Sequence, residues 1–269
     1  MFSIKLNTNS SIPIDTIKNT NSFIDQFKNR STATPIEKSF NGFFNKSLEK
    51  LLAQIQLYEY TDKKIIEKFI EKNPQIANIL NKANIKLEIN ISNLETLKNS
   101  HLNPTLEIAN AIVDILKSEY KFTNIQRKAI IKGAIFHDFG KVLIPGYIIN
   151  KKGKLTDSER KIVELHSELG YQLLKSANLD EESLHVIRHH HKYNDGSGYP
   201  ANSNEPNITA QIVTVADIFT ALVAKRSYKS TMSPLDALKV IEEKVKAGKI
   251  DKKIFNALKK YLESTIKNF

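Results

Sequence analysis

Leu48, Leu51, Leu52 and Ile55 recur at steps of three and four residues, the spacing that lays apolar side chains on one face of a helix. The pattern starts at Phe43. Before it, residues 1 to about 40 are rich in Ser, Thr, Asn and Lys without periodicity, and they read as flexible or irregular chain. Thr61-Asp62 opens a second helix that ends before Pro74, and a third short helix is expected over 76–83. Residues 85–91 alternate apolar and polar positions, which fits a short strand. From Asn103-Pro104, a cap followed by proline in the first turn, a helix carries Ile108, Ile112 and Leu116 inward. Asn124 opens the next helix, which reaches His137. Thr156-x-x-Glu159 is a capping box ahead of a stripe formed by Ile162, His166, Leu169 and Leu173. Further helices are expected over 181–191, from a cap at Thr209 through Asp217, and from Ser233-Pro234 to a stop at Gly248. Nothing after residue 100 reads as a strand. The pattern predicts an all-α bundle with a polar centre over 96–269, preceded by a small, mostly helical accessory region over 1–95.

Composition narrows the classes without choosing among them. A chain of 269 residues can bury a substantial core, and 41% hydrophobic with 26% charged residues is ordinary for a globular protein. No apolar stretch approaches the roughly 20 residues of a membrane span, and Met1 to Ser10 lacks the pattern of a secretory signal, so a cytoplasmic location is expected. With zero cysteines, disulfides, thiolate nucleophiles and cysteine-bound zinc are excluded, and any metal must be held by nitrogen and oxygen. The net charge of +11 raises the question of nucleic acid. Basic residues are scattered, however, and alternate with acids as in Lys63, Lys64, Glu67 and Lys68. No basic run is interleaved with aromatics, which argues against a polymeric nucleic-acid partner and for a solvated surface.

The histidines change the picture. All seven fall between His101 and His191. They include His137, followed at once by Asp138, then His166 on its apolar stripe, and the run His189, His190, His191. Asp217 sits among Val215, Ala216, Ile218 and Phe219, where an unpaired carboxylate would be costly to bury. Imidazole is the commonest side-chain metal ligand, and a carboxylate can bridge two ions. Inward imidazoles and carboxylates would satisfy one another through metal. Lys141, one helical step beyond Asp138, could reach a phosphate oxygen at such a centre. The turn from Asp195 to Pro200, DGSGYP, could hold Tyr199 over it, its glycines allowing close backbone approach.

These segments, HDFGK, IPGYIINKKGKLTDSE, the His166 helix, HH-x-x-x-DGSGYP, VADIFTAL and RSYK, resemble the HD-GYP family, a branch of the HD metal-dependent phosphohydrolases. The likeness covers about residues 100 to 235 and keeps the motifs in order. It implies an HD-type helical bundle and a centre of divalent ions, iron or manganese. It also implies hydrolysis of the bacterial messenger cyclic di-GMP to pGpG, GMP or both by a metal-activated water. Carried over, the metal ligands are His101, His137, Asp138, His166, His190, His191 and Asp217, with Asp138 bridging. Lys141, Tyr199, Arg226 and Lys229 match positions that contact substrate, and Asp138 and Lys141 are the candidate catalytic residues. The 1–95 region would then meet a signalling protein partner.

Three positions depart from the family pattern. Lys192 replaces a common Glu after the paired histidines, and Thr220 replaces an Asp three residues after the last metal aspartate. Leu97 stands where three-metal members have a Glu, which argues for two ions. None of the three removes a ligand of the two-ion set. Two alternatives remain compatible with the chain: a non-catalytic receptor for cyclic di-GMP, and an HD phosphohydrolase acting on another cyclic dinucleotide.

Overall fold

The computed structural model describes residues 59–87, 102–176, 179–201, 203, 206–224 and 232–266. The expected helix from Phe43, the irregular start over 1–40, and the positions His101, Leu97, Arg226 and Lys229 lie outside them. Eleven α-helices occur among the described residues, together with one 3-10 turn and no strand. They are α1 (Glu59–Lys72), α2 (Pro74–Lys82), α3 (Leu102–Leu116), α4 (Asn124–Phe136), the 3-10 turn Phe139–Leu143, α5 (Gly146–Ile149), α6 (Asp157–Glu164), α7 (His166–Ser176), α8 (Glu181–His189), α9 (Ile208–Val223), α10 (Pro234–Lys246) and α11 (Lys252–Ile266). The all-α expectation holds.

Local chemistry explains the helix starts. Thr123 accepts a hydrogen bond from the Gln126 amide while the Gln126 side chain returns to the Thr123 amide. Thr156 and Glu159 form the expected capping box. Ser233 caps α10, with Pro234 in its first turn. Such caps satisfy amides that have no intrahelical partner.

Several boundaries differ from expectation. Asn207, not Thr209, caps α9, its Oδ1 accepting from the Ala210 amide at 3.0 Å. Thr209 is instead buried, its hydroxyl 2.6 Å from the acceptor Asn207 Oδ1 and 3.0 Å from Glu182 Oε1. Asn103 lies inside α3, which already includes Leu102. Residues 85–87 form no strand, and 88–91 lie outside the described residues. The stripe from Ile162 to Leu173 is buried throughout, but not on one helix: α6 ends at Glu164 and α7 begins at His166. The His166 Nδ1–H takes the Val163 carbonyl at 2.7 Å, a group that an unbroken helix would reserve for an amide four residues on. α11 is not among the elements expected, although Ile254, Phe255, Leu258 and Leu262 carry helical spacing and are buried.

Two apolar clusters hold the fold. One joins α3, α4, α9, α10 and α11 through Ile112, Ile130, Phe219, Ile241 and Leu258. The other joins α1, α2, the 3-10 turn and α6 to α8 through Phe69, Leu80, Leu143, Ile162, Leu169 and Ile187. α4 and α8 serve both: Ile130 and Val186 face the first cluster, Ile135 and Ile187 the second. At the seam between the clusters His137, His166, His190 and His191 come together. α1 and α2 thus share the core of the later helices, so they pack as part of the same body.

Candidate metal centre

Four short backbone segments converge at the seam. α4 ends with His137 as its cap residue, its amide bonded to the Gly133 carbonyl at 2.8 Å. The chain then turns sharply through Asp138 into the 3-10 segment. That segment lies against α7 so closely that a Cβ on Gly140 would collide with the His166 carbonyl and the Gly170 amide. The absence of a side chain at 140 is what brings Asp138 beside His166. α8 ends at His189, and its cap His190 and the following His191 leave the helix facing inward. Asp217 is buried on α9.

Asp138, His166, His190 and His191 each offer one ligand atom within 4.8 Å of the others. Asp138 uses its two oxygens on different sides. Oδ1 stands 3.3 Å from His166 Nε2, whereas Oδ2 stands 3.6 Å from His137 Nε2 and accepts a hydrogen bond from Lys141 Nζ at 2.6 Å. On the His137 side, Asp217 Oδ1 lies 3.5 Å from the same Nε2.

The tautomers are set by the backbone. His137, His166 and His190 donate from Nδ1 to the carbonyls of Ala134, Val163 and Ile187 at 3.0, 2.7 and 2.7 Å. A carbonyl can only accept, so Nδ1 carries a proton in each, and in His166 and His190, which burial keeps neutral, Nε2 presents a lone pair. Two consequences bear on metal. His166 Nε2 and His190 Nε2 face each other at 3.1 Å as two lone pairs, an arrangement that calls for a cation between or beside them. His137 Nε2 is buried and makes no hydrogen bond among the described residues. Opposed lone pairs and a buried ring nitrogen without a hydrogen bond are unfavourable in a dry interior and are relieved by a divalent ion. The residues present therefore fit a metal centre of nitrogen and oxygen donors.

Electrostatics agree. Burial lowers the pKa of His166 and His191 to about 3 and that of His190 well below its ordinary value, so all three stay neutral and able to ligate. Burial also works against a charged Asp138, yet Lys141, His137 and His166 outweigh it and hold the carboxyl well below its usual range. His137 differs: burial opposes its charge, but Asp138 and Asp217 prevail and raise its pKa. Burial, then the two carboxylates, push the Tyr199 phenol far up, which keeps it neutral.

Tyr199 reaches the centre from the DGSGYP turn. Its ring lies 4.5 Å from that of His191 and 5.9 Å from that of His166, centroid to centroid. Gly198 has φ +86°, and a Cβ there would strike the His191 carbonyl, so the turn requires glycine. His189 stays out of the cluster, its Nδ1 donating to the His185 carbonyl at 2.9 Å. The sequence reading missed a supporting pair. Glu168 on α7 accepts from Arg188 Nε on α8 at 2.7 Å, tying together the helices that carry His166 and lead to His190. Their signal is weak, since each is one charge among many.

Helical bundle and site together define a domain built around a His/Asp metal centre. Residues 90–254 match the sequence profile of the family described as HD domain, so the chain belongs to that family, in its HD-GYP branch. Among curated proteins it is similar to a 3′3′-cGAMP-specific phosphodiesterase 3 of Vibrio cholerae, 34% identical over 55% of this chain and 33% of the relative. It is also similar to the cyclic di-GMP phosphodiesterase response regulator RpfG of Xanthomonas campestris pv. campestris, 34% identical over 46% of this chain and 34% of the relative. The chain thus spans about a third of the length of these relatives. Among solved structures, an HD-GYP-type protein from Bdellovibrio bacteriovorus has the same fold, with TM-score 0.55 and 17% identity over 89% of this chain and 76% of that one.

Proposed function

We propose that the chain is a metal-dependent phosphodiesterase that hydrolyses cyclic di-GMP to pGpG, GMP or both. The observation that carries this reading is the pair of opposed, proton-free Nε2 atoms of His166 and His190 beside an ionised Asp138. Two divalent ions, iron or manganese, are assigned to His137, Asp138, His166, His190, His191 and Asp217, with His101 as the further ligand from outside the described residues. The division of Asp138 oxygens between His166 and His137 supports its role as the bridge. Ions held there would supply Lewis acidity at phosphorus and an activated water.

The remaining steps belong to the protein. Lys141 keeps Asp138 ionised and offers positive charge where negative charge develops on the phosphate oxygens. Tyr199, a neutral phenol above His191, can donate to a phosphate oxygen or stack on a base. Arg226 and Lys229 are assigned as further phosphate contacts, the guanidinium offering two parallel donors. Residues 1–95 would act as the accessory region that a signalling protein engages, and 96–269 as the catalytic domain. A second reading, another cyclic dinucleotide as substrate, is favoured by a relative named for 3′3′-cGAMP.

The test is anaerobic incubation of manganese- or iron-loaded protein with cyclic di-GMP and 3′3′-cGAMP, followed by chromatography of the products. Linear or mononucleotide product, absent with Asp138→Ala, is expected. That variant should also hold less metal. Confirmed metal occupancy with tight binding and no product would replace the enzyme with a receptor.

A further inference from the structure

Lys192 follows the histidine pair directly, and it is only 5% exposed. An ammonium group has three donors and is costly to bury unless they are used. The acceptor it finds is the Pro200 carbonyl, at 3.2 Å. Pro200 is the residue after Tyr199. The same carbonyl accepts from Ser203 Oγ at 2.8 Å, which uses its second lone pair. Between Lys192 and Pro200 the main chain is already folded back on itself. Lys192 and Gly198 form an antiparallel bridge, the Tyr193 amide donates to the Ser197 carbonyl at 3.0 Å, and the Tyr199 amide donates to the His191 carbonyl at 3.2 Å. The lysine closes this unit at its open end, beyond the tyrosine.

We infer that Lys192 is a positioning residue: its ammonium ties the turn carrying Tyr199 to the end of the helix carrying His190 and His191, so the phenol stands over the centre before substrate arrives. A glutamate, common at this position in the HD-GYP family, could not make the tie, because a carboxylate cannot donate to a carbonyl. The consequence for turnover rests on the phosphodiesterase reading, whereas the consequence for the turn does not.

The test compares the metal-loaded full chain with Lys192→Met, which keeps the length of the stem and removes the donors. Amide hydrogen exchange is followed over 193–201, with α4 and α8 as internal references, and KM and kcat are measured on cyclic di-GMP. In the wild type the Tyr193 and Tyr199 amides are protected without substrate. In the variant they exchange about tenfold faster or more, metal content is unchanged, and KM rises about tenfold with kcat little altered, the signature of lost preorganisation. Wild-type amides that exchange as freely as an unstructured loop overturn the inference, and they do so even if the variant fails to fold. So does a variant whose turn stays protected, or one whose turn loosens while KM stays unchanged. Absence of hydrolysis by the wild type removes the phosphodiesterase reading instead, and the exchange data still decide the tie.

Discussion

Lowering the pH should unfold the metal-free protein through its clustered imidazoles. In the folded chain the pKa values of His166 and His191 are lowered from 6.5 to about 3, chiefly by burial. An unfolded chain returns both to the ordinary value, so below pH 6.5 it binds more protons than the folded chain and stability falls with pH. Between about pH 7.5 and about pH 5, each histidine contributes a loss of roughly 2 kcal/mol, from about 1.5 pH units at 1.36 kcal/mol per unit. The two together approach 4 kcal/mol, a large part of the 5–15 kcal/mol that ordinarily holds a domain folded. His137 works in the opposite sense. Its folded pKa is raised, so its contribution is complete below 6.5 and is lost as pH rises through the folded value. The wild-type loss is therefore smaller than the sum, and one histidine is best isolated by substitution. Denaturant unfolding of chelator-treated wild type and His191→Asn should be compared at both pH values. The wild type is expected to lose about 2 kcal/mol more than the variant on acidification. Equal losses, or a wild type that gains stability in acid, would refute the claim that these imidazoles are held neutral in the folded chain. Saturating divalent metal should suppress the loss, because the ion selects the unprotonated ligands.

Two further substitutions separate conformation from contact and support from chemistry. Gly196 and Gly198 both have positive φ, but a Cβ meets nothing at 196 and the His191 carbonyl at 198. Gly196→Ala should cost about 1 kcal/mol of stability with activity kept, whereas Gly198→Ala should also displace Tyr199 and reduce kcat/KM at least about tenfold. Equal effects in thermal unfolding and steady-state assays would remove the close-approach argument. A double-mutant cycle on Glu168→Gln and Arg188→Gln should give a coupling of about 1–2 kcal/mol by denaturant unfolding, with weaker metal binding in each single variant. Coupling near zero would make the pair incidental.

The parts of the site legible in the sequence are those where chemistry contradicts its surroundings. His166 shares an apolar stripe with Ile162, Leu169 and Leu173, and Asp217 sits among aliphatic residues; neither belongs there unless something binds it. The seam places both at the centre. The break at Leu165 was illegible for a physical reason. α7 resumes with the same face inward, so the apolar period runs through a discontinuity that a side-chain hydrogen bond creates. The cap expected at Thr209 failed in a related way: Thr and Asn both cap helices, and the Glu182 carboxylate, distant in sequence, together with Asn207 Oδ1 takes up the Thr209 hydroxyl. The packing of α1 and α2 against the later helices was illegible because an amphipathic stripe says that a face is buried but not against what.

Thr220 and Lys192 show how a departure from a family pattern is to be weighed. Thr220 is buried, and its hydroxyl lies 2.9 Å from the Ala216 carbonyl, 3.0 Å from the Asp217 carbonyl and 3.0 Å from Thr105 Oγ1. Both carbonyls already accept amides of their own helix, and the hydroxyl donates to one of them as a second bond, which an ionised carboxylate at 220 could not do. The threonine is therefore matched to its own helix and to α3, and its change is absorbed within the protein. Lys192 is matched less completely, with one acceptor for three donors among the described residues, and it stands beside the histidine pair. Both changes also raise the charge around a centre whose proposed substrate carries two phosphodiester groups, which favours the encounter with an anion. A substitution that satisfies its neighbours leaves the geometry of the centre as it was. One that fixes the turn beside the histidine cluster would change how the proposed substrate is received.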